Sequence, residues 1–355
     1  MKGVNASVAR EIVARAGSVE NFFEASEGAL TALMGYRNRL VERAYRDEAV
    51  EKALHEADFI SDNGIKAVSF SDEDYPRRLA ECDDAPAMIY CLGNCDLNNS
   101  RYVSIVGTRH ATSYGIELTG AIVEGLCSLL PEPPVIVSGL AFGIDIAAHR
   151  AALSSGAPTV AVLGHGLNTI YPAAHRQVAV EIARAGGMLM TEYRSDNVTH
   201  RGNFLARNRI VAGLCDCLVV VESANKGGAI VTARIAADYS REVMAVPGRV
   251  NDRYSQGCNR LITRNVAALV QGAEDVVGLM GWPKKKQDGE QAELFPELSD
   301  EEQVVVDLLT QEGDLPMAQL SATLDLPAHR MMSLLVDMEF KGLVAQVPGG
   351  RYRLG

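Results

Sequence analysis

The sequence predicts an α/β protein: a Rossmann-like, doubly wound, mostly parallel sheet, with a small helical domain before it and a winged-helix domain after it. Three observations carry this. From Arg101 onward, short β-branched apolar segments alternate with segments of helical period, and near-continuous apolar strands mean a parallel sheet covered on both faces. The first 65 residues show helical spacing before that alternation begins. Residues 299–355 read as three helices followed by a hairpin, which is winged-helix order.

Residues 6–16, 19–23, 29–34 and 40–57 carry apolar positions at helical spacing, broken at Gly17, Ser18 and Gly35. They make a predicted helical domain over 1–65 that resembles the helix-hairpin-helix or SAM-like type; a bundle that only packs on its neighbour is the other reading, and the preferred one. Strands follow at 65–70 and 88–92. Between them Tyr75-Pro76 and Ala85-Pro86 favour extended or turning backbone, so this stretch reads as loop. The predicted sheet domain covers 66–282. Its further strands are 103–106, 135–138, 159–163, 188–191, 217–221 and 243–246. Its helices are 115–130, 144–154, 174–184, 204–213 and 229–239, with a short one near 259–264. Residues 283–298 switch to Lys, Gln, Glu and Pro and read as a linker. Ser299 with Glu302 three residues on is a capping-box pattern opening the last domain. There 301–310, 317–324 and 328–342 read as helices, and 343–347 and 350–354 as strands around Pro348-Gly349.

A chain of 355 residues that is 47% hydrophobic has ample material for a buried core. No apolar run reaches the ~18–20 residues of a membrane span, and the first residues lack the apolar core of a signal peptide. Seven cysteines in no metal-like pairing suggest reduced thiols. The expectation is a cytoplasmic protein with no membrane association, no metal and no cofactor. Net charge is −11, yet residues 101–272 hold 16 Lys and Arg against 12 Asp and Glu. A mildly basic middle between acidic flanks permits a polyanion on a local patch. Residues 299–355 hold 4 basic and 9 acidic residues, too few cations for the phosphate contacts of a duplex. A protein-contact role is therefore expected for the winged helix.

The chemistry concentrates at strand-to-helix junctions, which lie at the carboxyl edge of such a sheet, where ligands bind. The first is Gly107-Thr108-Arg109. Helix N-terminal N–H groups beside a guanidinium suit an anion, above all phosphate; a plain turn with a solvated charge is the other reading, and this stretch leaves both open. The second, Ser138-Gly139 through Gly143, leads to Asp145 and His149, which serve either acid–base chemistry or as a cap and a satisfied polar group. The third is Gly164-His165-Gly166 with Tyr171-Pro172 and His175. The fourth is Arg201-Gly202-Asn203-Phe204, with Arg207, Asn208 and Arg209. Between Arg194 and Arg209 there are four Arg, His200 and Phe204 against Asp196. Arginines interleaved with an aromatic ring are what a single-stranded nucleic acid needs, since Arg neutralises phosphate and the ring stacks on a base. A fifth turn, Gly227-Gly228, precedes another helix. There is no G-x-G-x-x-G after the first strand of this alternation, no phosphate-binding G-x-x-x-x-G-K-[ST], and no convincing nucleophile–base set.

These residues, in this order, resemble the DNA-processing protein A family (DprA, also called Smf). The matching motifs are Tyr75-Pro76-x-x-Leu79, Val106-Gly107-Thr108-Arg109 with Tyr114-Gly115, Ser138-Gly139-x-Ala141-x-Gly143-Ile144-Asp145-x-x-Ala148-His149, and Tyr171-Pro172-x-x-His175. Phe204-x-x-Arg207-Asn208-Arg209, Gly228-x-x-x-Thr232-Ala233, Val246-Pro247-Gly248 and Gly257-x-Asn259-x-Leu261-Ile262 continue the series. They cover most of 60–272. The resemblance implies a non-catalytic recombination mediator that binds single-stranded DNA and loads the RecA recombinase onto it during natural transformation. It also implies a homodimer. Position by position, it places DNA contacts at Arg109, the Gly139 turn, Arg201 and Phe204. Leu205 and Gly227 depart from a frequent Pro and Ser.

The residues assigned to the interface are Gly107, Arg109, Ser138, Gly139, Arg201, Phe204, Arg207, Asn208 and Gly228. Arg109 and Arg201 would hold phosphates, Phe204 would stack on a base, and backbone N–H groups of 138–143 and 227–229 would complete the cradle. Arg207 and Asn208 would support the loops. The rival reading is a nucleotide-processing enzyme resembling the lysine-decarboxylase-like phosphoribohydrolases, with Glu192 or Glu222 as acid–base. A purely structural adaptor is a third.

Overall fold

Side-chain caps set the first helices. α1 (Ala6–Ala16), α2 (Val19–Glu24) and α3 (Glu27–Met34) each start behind a residue, Asn5, Ser18 or Ser26, whose oxygen accepts a first-turn N–H. The helix expected over 40–57 is divided. A 3-10 turn at Arg39–Val41 is followed by α4 (Arg43–Asn63), because Glu42 is extended. Arg46 of α4 is fully buried, and its guanidinium donates to the carbonyls of Phe22 (2.6 Å), Phe23 and Ala25 (both 2.8 Å). It thereby satisfies the orphan carbonyls at the end of α2. The computed structural model describes residues 4–35, 38–99, 101–285, 298–347 and 350–354.

The sheet elements follow as β1 (Lys66–Ser69), α5 (Arg77–Ala80), β2 (Met88–Gly93), β3 (Tyr102–Val106), α6 (Ser113–Leu129), β4 (Val135–Ser138) and α7 (Ile144–Ser154). Next come β5 (Thr159–Val162), α8 (Arg176–Arg184), β6 (Met188–Thr191), α9 (Arg201–Gly213), β7 (Cys217–Val220) and α10 (Gly228–Asp238). β8 (Glu242–Ala245), α11 (Gln256–Thr263), β9 (Ala268–Leu269) and α12 (Ala273–Leu279) complete it. Helices α5 and α12 and strand β9 add to the elements expected from periodicity.

The nine strands run β1-β2-β6-β5-β4-β3-β7-β8-β9. β1 and β2 are antiparallel to their neighbours, and the pairs from β6 to β9 are parallel. Every residue of β3 to β7 is buried, which is why these strands read as unbroken apolar runs. Helices α6, α7 and α12 pack one face through Ile122, Val123, Leu126, Ile144 and Val276, while α9, α10 and α11 pack the other through Ile210, Val211, Ala233 and Leu261. The chain steps outward from β3 to β6 and returns to the far side of β3 as β7. The helices that follow β3 and β7 thus lie on opposite faces, which opens a crevice beyond their carboxyl ends.

Residues 1–285 form one compact unit and 286–355 another. In the second, α13 (Asp300–Glu312), β10 (Leu315–Pro316), α14 (Met317–Thr323), α15 (Ala328–Phe340), β11 (Val344–Val347) and β12 (Arg351–Leu354) make a winged helix with a three-stranded sheet. The Ser299–Glu302 capping box is formed. Most of the expected linker, 286–297, and the expected turn at Pro348-Gly349 lie outside the described residues. No helix among the described residues is long and apolar enough to cross a membrane.

Candidate nucleic-acid interface

Arg109 leaves the end of β3 with its side chain exposed. The helix it meets, α9, begins three residues earlier than periodicity predicts. His200 caps it, Nδ1 accepting the Gly202 N–H at 3.1 Å, so Arg201 is its first residue. Arg201 and Phe204 become i and i+3 neighbours on one helix surface. The Arg109 guanidinium carbon lies 5.9 Å from the centre of the Phe204 ring, within cation–π range. The Tyr171 ring lies 5.5 Å from the Phe204 ring at 48°. Arg201 is exposed and has no hydrogen-bond or ion-pair partner among the described residues. Arg109, Phe204 and Tyr171 therefore form one cluster, with Arg201 one helical turn away.

Phe204 can sit there because Gly164 has no side chain. A Cβ on Gly164 would meet the Phe204 ring at 2.8 Å. Tyr171 is held from behind by buried His165, whose Nε2 accepts the Tyr171 N–H at 3.1 Å while Nδ1–H donates to the Gly166 carbonyl at 2.9 Å. A fourth ring, Phe142, is 47% exposed and packs edge-on against buried His175 at 4.8 Å. His175 Nδ1–H donates to the Leu140 carbonyl at 2.7 Å, fixing the loop at a residue with φ of 57°.

The floor of the site revises several residue roles. Arg207, assigned to the interface as a support for its loops, is 3% exposed. Its Nη1 donates to the Val162 carbonyl at 2.7 Å, and a Cβ on Gly139 would stand 1.8 Å from that same Nη1. Gly139 is thus a glycine because Arg207 lies under it, and Arg207 supports the loop without reaching a ligand. The expected N–H cradle is partly spent internally: the N–H groups of Gly139 and Ala141 donate to Asp145 Oδ2 at 3.1 and 3.4 Å. Burial pushes the Asp145 carboxyl above the usual carboxylate range, with the charge of Arg207 working the other way. Ser138 is fully buried and its hydroxyl donates to the Ile105 carbonyl at 2.6 Å, so it presents nothing to a ligand. Asn208 is half-buried with no side-chain hydrogen bond among the described residues.

The anion site expected at the start of α6 is already filled. Glu222, 5% exposed, accepts the Thr112 N–H at 2.9 Å and the Thr112 hydroxyl at 2.6 Å. A carboxylate at a helix N-terminus is a stabilising arrangement. It also explains Gly115, where a Cβ would meet Glu222 Oε2 at 2.3 Å. Gly107 is a close-approach residue, since its Cβ would stand 2.4 Å from Ile144. Gly228 opens α10 at an exposed position.

Other titratable groups near the site are engaged in the fold. Glu192 pairs with Arg209; burial raises its pKa and Arg209 opposes that. His149 is fully buried. Its Nδ1–H donates to Thr159 Oγ1 at 2.7 Å, which itself donates to the Ile136 carbonyl. Burial first, then the charge of Arg207, lowers the His149 pKa to about 3. The described cysteines are free thiols, and burial raises the Cys215 pKa to about 11.

Tyr171 and Phe142 are exposed rings at this edge that sequence reasoning left without a role. Their signal was position: both lie in junctions after parallel strands, where a large exposed ring has no core to join.

A doubly wound α/β sheet whose carboxyl edge presents exposed arginines beside aromatic rings defines the class. Comparison with known proteins gives the family. The profile for DNA recombination-mediator protein A matches residues 66–281, and that for the DprA winged helix domain matches 289–350. The chain belongs to the DNA recombination-mediator protein A family. It is 30% identical to Protein Smf of Synechocystis sp. (strain ATCC 27184 / PCC 6803 / Kazusa), over 99% of this chain and 96% of that protein. It is 39% identical to DNA processing protein DprA of Streptococcus pneumoniae, over 60% and 74%. The X-ray structure of DprA from Streptococcus pneumoniae superposes with a TM-score of 0.65 at 32% identity, covering 78% of this chain and 93% of that one. DNA processing protein A from Helicobacter pylori, whose structure addresses its single-stranded DNA binding mode, gives 0.54 at 30% identity, covering 61% and 95%.

Proposed function

We propose that this chain is a non-catalytic cytoplasmic recombination mediator. It binds single-stranded DNA along the carboxyl edge of its sheet and, as a homodimer, loads the RecA recombinase onto that strand during DNA uptake. The observation that carries the binding reading is the Arg109–Phe204–Tyr171 cluster with Arg201 one turn away. Guanidinium groups without carboxylate partners bind phosphates, and half-exposed rings stack on bases. The homologous Helicobacter pylori protein's single-stranded DNA binding mode supports it. RecA loading and dimerisation rest on the family. The phosphoribohydrolase alternative is weakened by its own carboxylates: Glu222 is bound to Thr112 and Glu192 to Arg209, so neither faces a substrate as a free acid or base.

The test is a titration of fluorescent oligo-dT and of a duplex with the purified chain. The reading expects saturable, length-dependent, salt-sensitive binding to the single strand with little sequence preference. It also expects faster RecA filament growth on that strand when the chain is present. Base release from AMP without oligonucleotide binding would replace it with the enzyme reading.

A further inference from the structure

We propose that the single-stranded DNA track continues past Arg109 to a second stacking subsite built on Tyr254 and His110, at the carboxyl ends of β3, β7 and β8. The inference rests on the reading of the Arg109–Phe204 site given above. Arg109 and His110 are consecutive, and their side chains diverge. The Arg109 guanidinium reaches over Phe204, while the His110 ring lies nearly parallel to Tyr254, at 25° with centres 6.4 Å apart. One two-residue step thus joins two aromatic groups across the switch point of the sheet.

The second group carries its own cations. The Arg253 guanidinium carbon is 5.7 Å from the centre of the Tyr254 ring. Lys226 and Arg249 stand exposed in the segments after β7 and β8, without hydrogen-bond or ion-pair partners among the described residues. Between Val246 and Gly257 the chain sets Arg249 and Arg253 against Asp252. Rings with adjacent cations and few carboxylates are the composition of a single-strand track.

The platform is also built. The Ser223 N–H donates to the Tyr254 carbonyl at 2.6 Å, and the Gly257 N–H donates to the Ser223 carbonyl at 2.8 Å. Asn225 donates to Gln256 at 3.0 Å. Asn259 clamps Gly248 through both backbone groups, at 3.1 and 2.9 Å. A Cβ on Gly248 would meet Ser255 Oγ at 2.1 Å, and one on Gly257 would meet the Ser223 carbonyl at 2.5 Å. The Pro247-Gly248 and Gly257-x-Asn259 motifs, which the Phe204 site does not use, therefore shape the turn that carries Arg249, Arg253 and Tyr254. From the end of β5 to the end of β8 there are four strand spacings in the sheet order, or ~19 Å, long enough for a strand of several nucleotides.

The experiment is an anisotropy titration of the full chain with oligo-dT of increasing length, comparing wild type, Tyr254→Ala, Tyr254→Phe, Arg253→Ala and Phe204→Ala. The shortest oligonucleotide that wild type binds should be held equally by Tyr254→Ala. Longer ones should be held roughly 5- to 150-fold more weakly, the loss of one stacked base. Arg253→Ala should show the same length dependence, Tyr254→Phe should match wild type, and Phe204→Ala should lose affinity at every length. Wild-type affinity for Tyr254→Ala and Arg253→Ala at all lengths overturns this subsite and leaves the first one standing. Loss at every length for Tyr254→Ala, with Arg253→Ala like wild type, assigns Tyr254 to folding and also overturns it. A wild-type chain that binds no oligonucleotide removes both sites together.

Discussion

Gly139→Ala is the substitution whose cost the structure sets most sharply. Gly139 does not occupy the left-handed region, so an alanine there has no backbone penalty, and the effect is a collision. The new Cβ would stand 1.8 Å from Arg207 Nη1, 2.3 Å from Nη2 and 2.4 Å from Cζ. To reach ordinary contact the guanidinium must retreat by about 1.5 Å or more, which breaks its 2.7 Å hydrogen bond to the Val162 carbonyl. Arg207 is 3% exposed and its Nε has no partner among the described residues. A hydrogen bond to a charged group contributes about 1.5–3 kcal/mol, and a buried donor left unsatisfied costs about 1–3 kcal/mol. We expect Gly139→Ala to lower stability by about 2–4 kcal/mol. The assay is urea unfolding followed by fluorescence of Trp282, the chain's one tryptophan, which packs on the sheet core and so reports residues 1–285. The decisive comparison adds Arg207→Met and the double variant. With no guanidinium to strike, the alanine should cost little, so the double variant should be less destabilised than the sum of the singles by more than about 1 kcal/mol. Additive losses, or a Gly139→Ala midpoint equal to wild type, would refute the support role of Arg207.

Arg109→Ala should weaken binding to oligo-dT of any sequence and reduce the slope of log affinity against log salt by about 0.7, one single-strand phosphate contact; a titration at several salt concentrations measures it. Phe204→Ala should lose about 1–3 kcal/mol of binding with the salt slope unchanged, because stacking releases no counterion. His149 is held neutral in the folded chain, with a pKa of about 3 against 6.5 in the unfolded chain. The unfolded state therefore binds the extra proton, so this residue's contribution is intact above pH 6.5 and is lost as pH falls towards 3. At pH 5 the loss is about 2 kcal/mol, and His149→Leu should flatten that part of a stability-versus-pH curve.

The sheet was largely legible because its strands are covered on both faces. Residues 135–138 and 188–191 read as strands and form β4 and β6 with the same bounds. β9 escaped, since two residues carry no period, and α5 was hidden behind Pro76, which reads as a turn residue. In α9, the buried stripe formed by Ile210 and Val211, and continued by the C-cap Leu214, runs back at helical spacing through Arg207 and Asn203. That periodicity, extended one turn further, marks Arg207 as interior and leaves Arg201 and Phe204 on the outer face. Residue type alone could not separate Arg109 from Arg207. Glu222 at the start of α6 was beyond sequence reasoning, because its partner Thr112 lies 110 residues away. The same holds for the pairing of His110 with Tyr254.

The most direct measurement is a crystal structure of the chain with a short oligo-dT. The account predicts a phosphate within hydrogen-bonding reach of the Arg109 guanidinium, another near Arg201, and a thymine lying flat on Phe204. A strand seated on the amino edge of the sheet or on the winged helix, with Arg109 and Phe204 still bare, would contradict it.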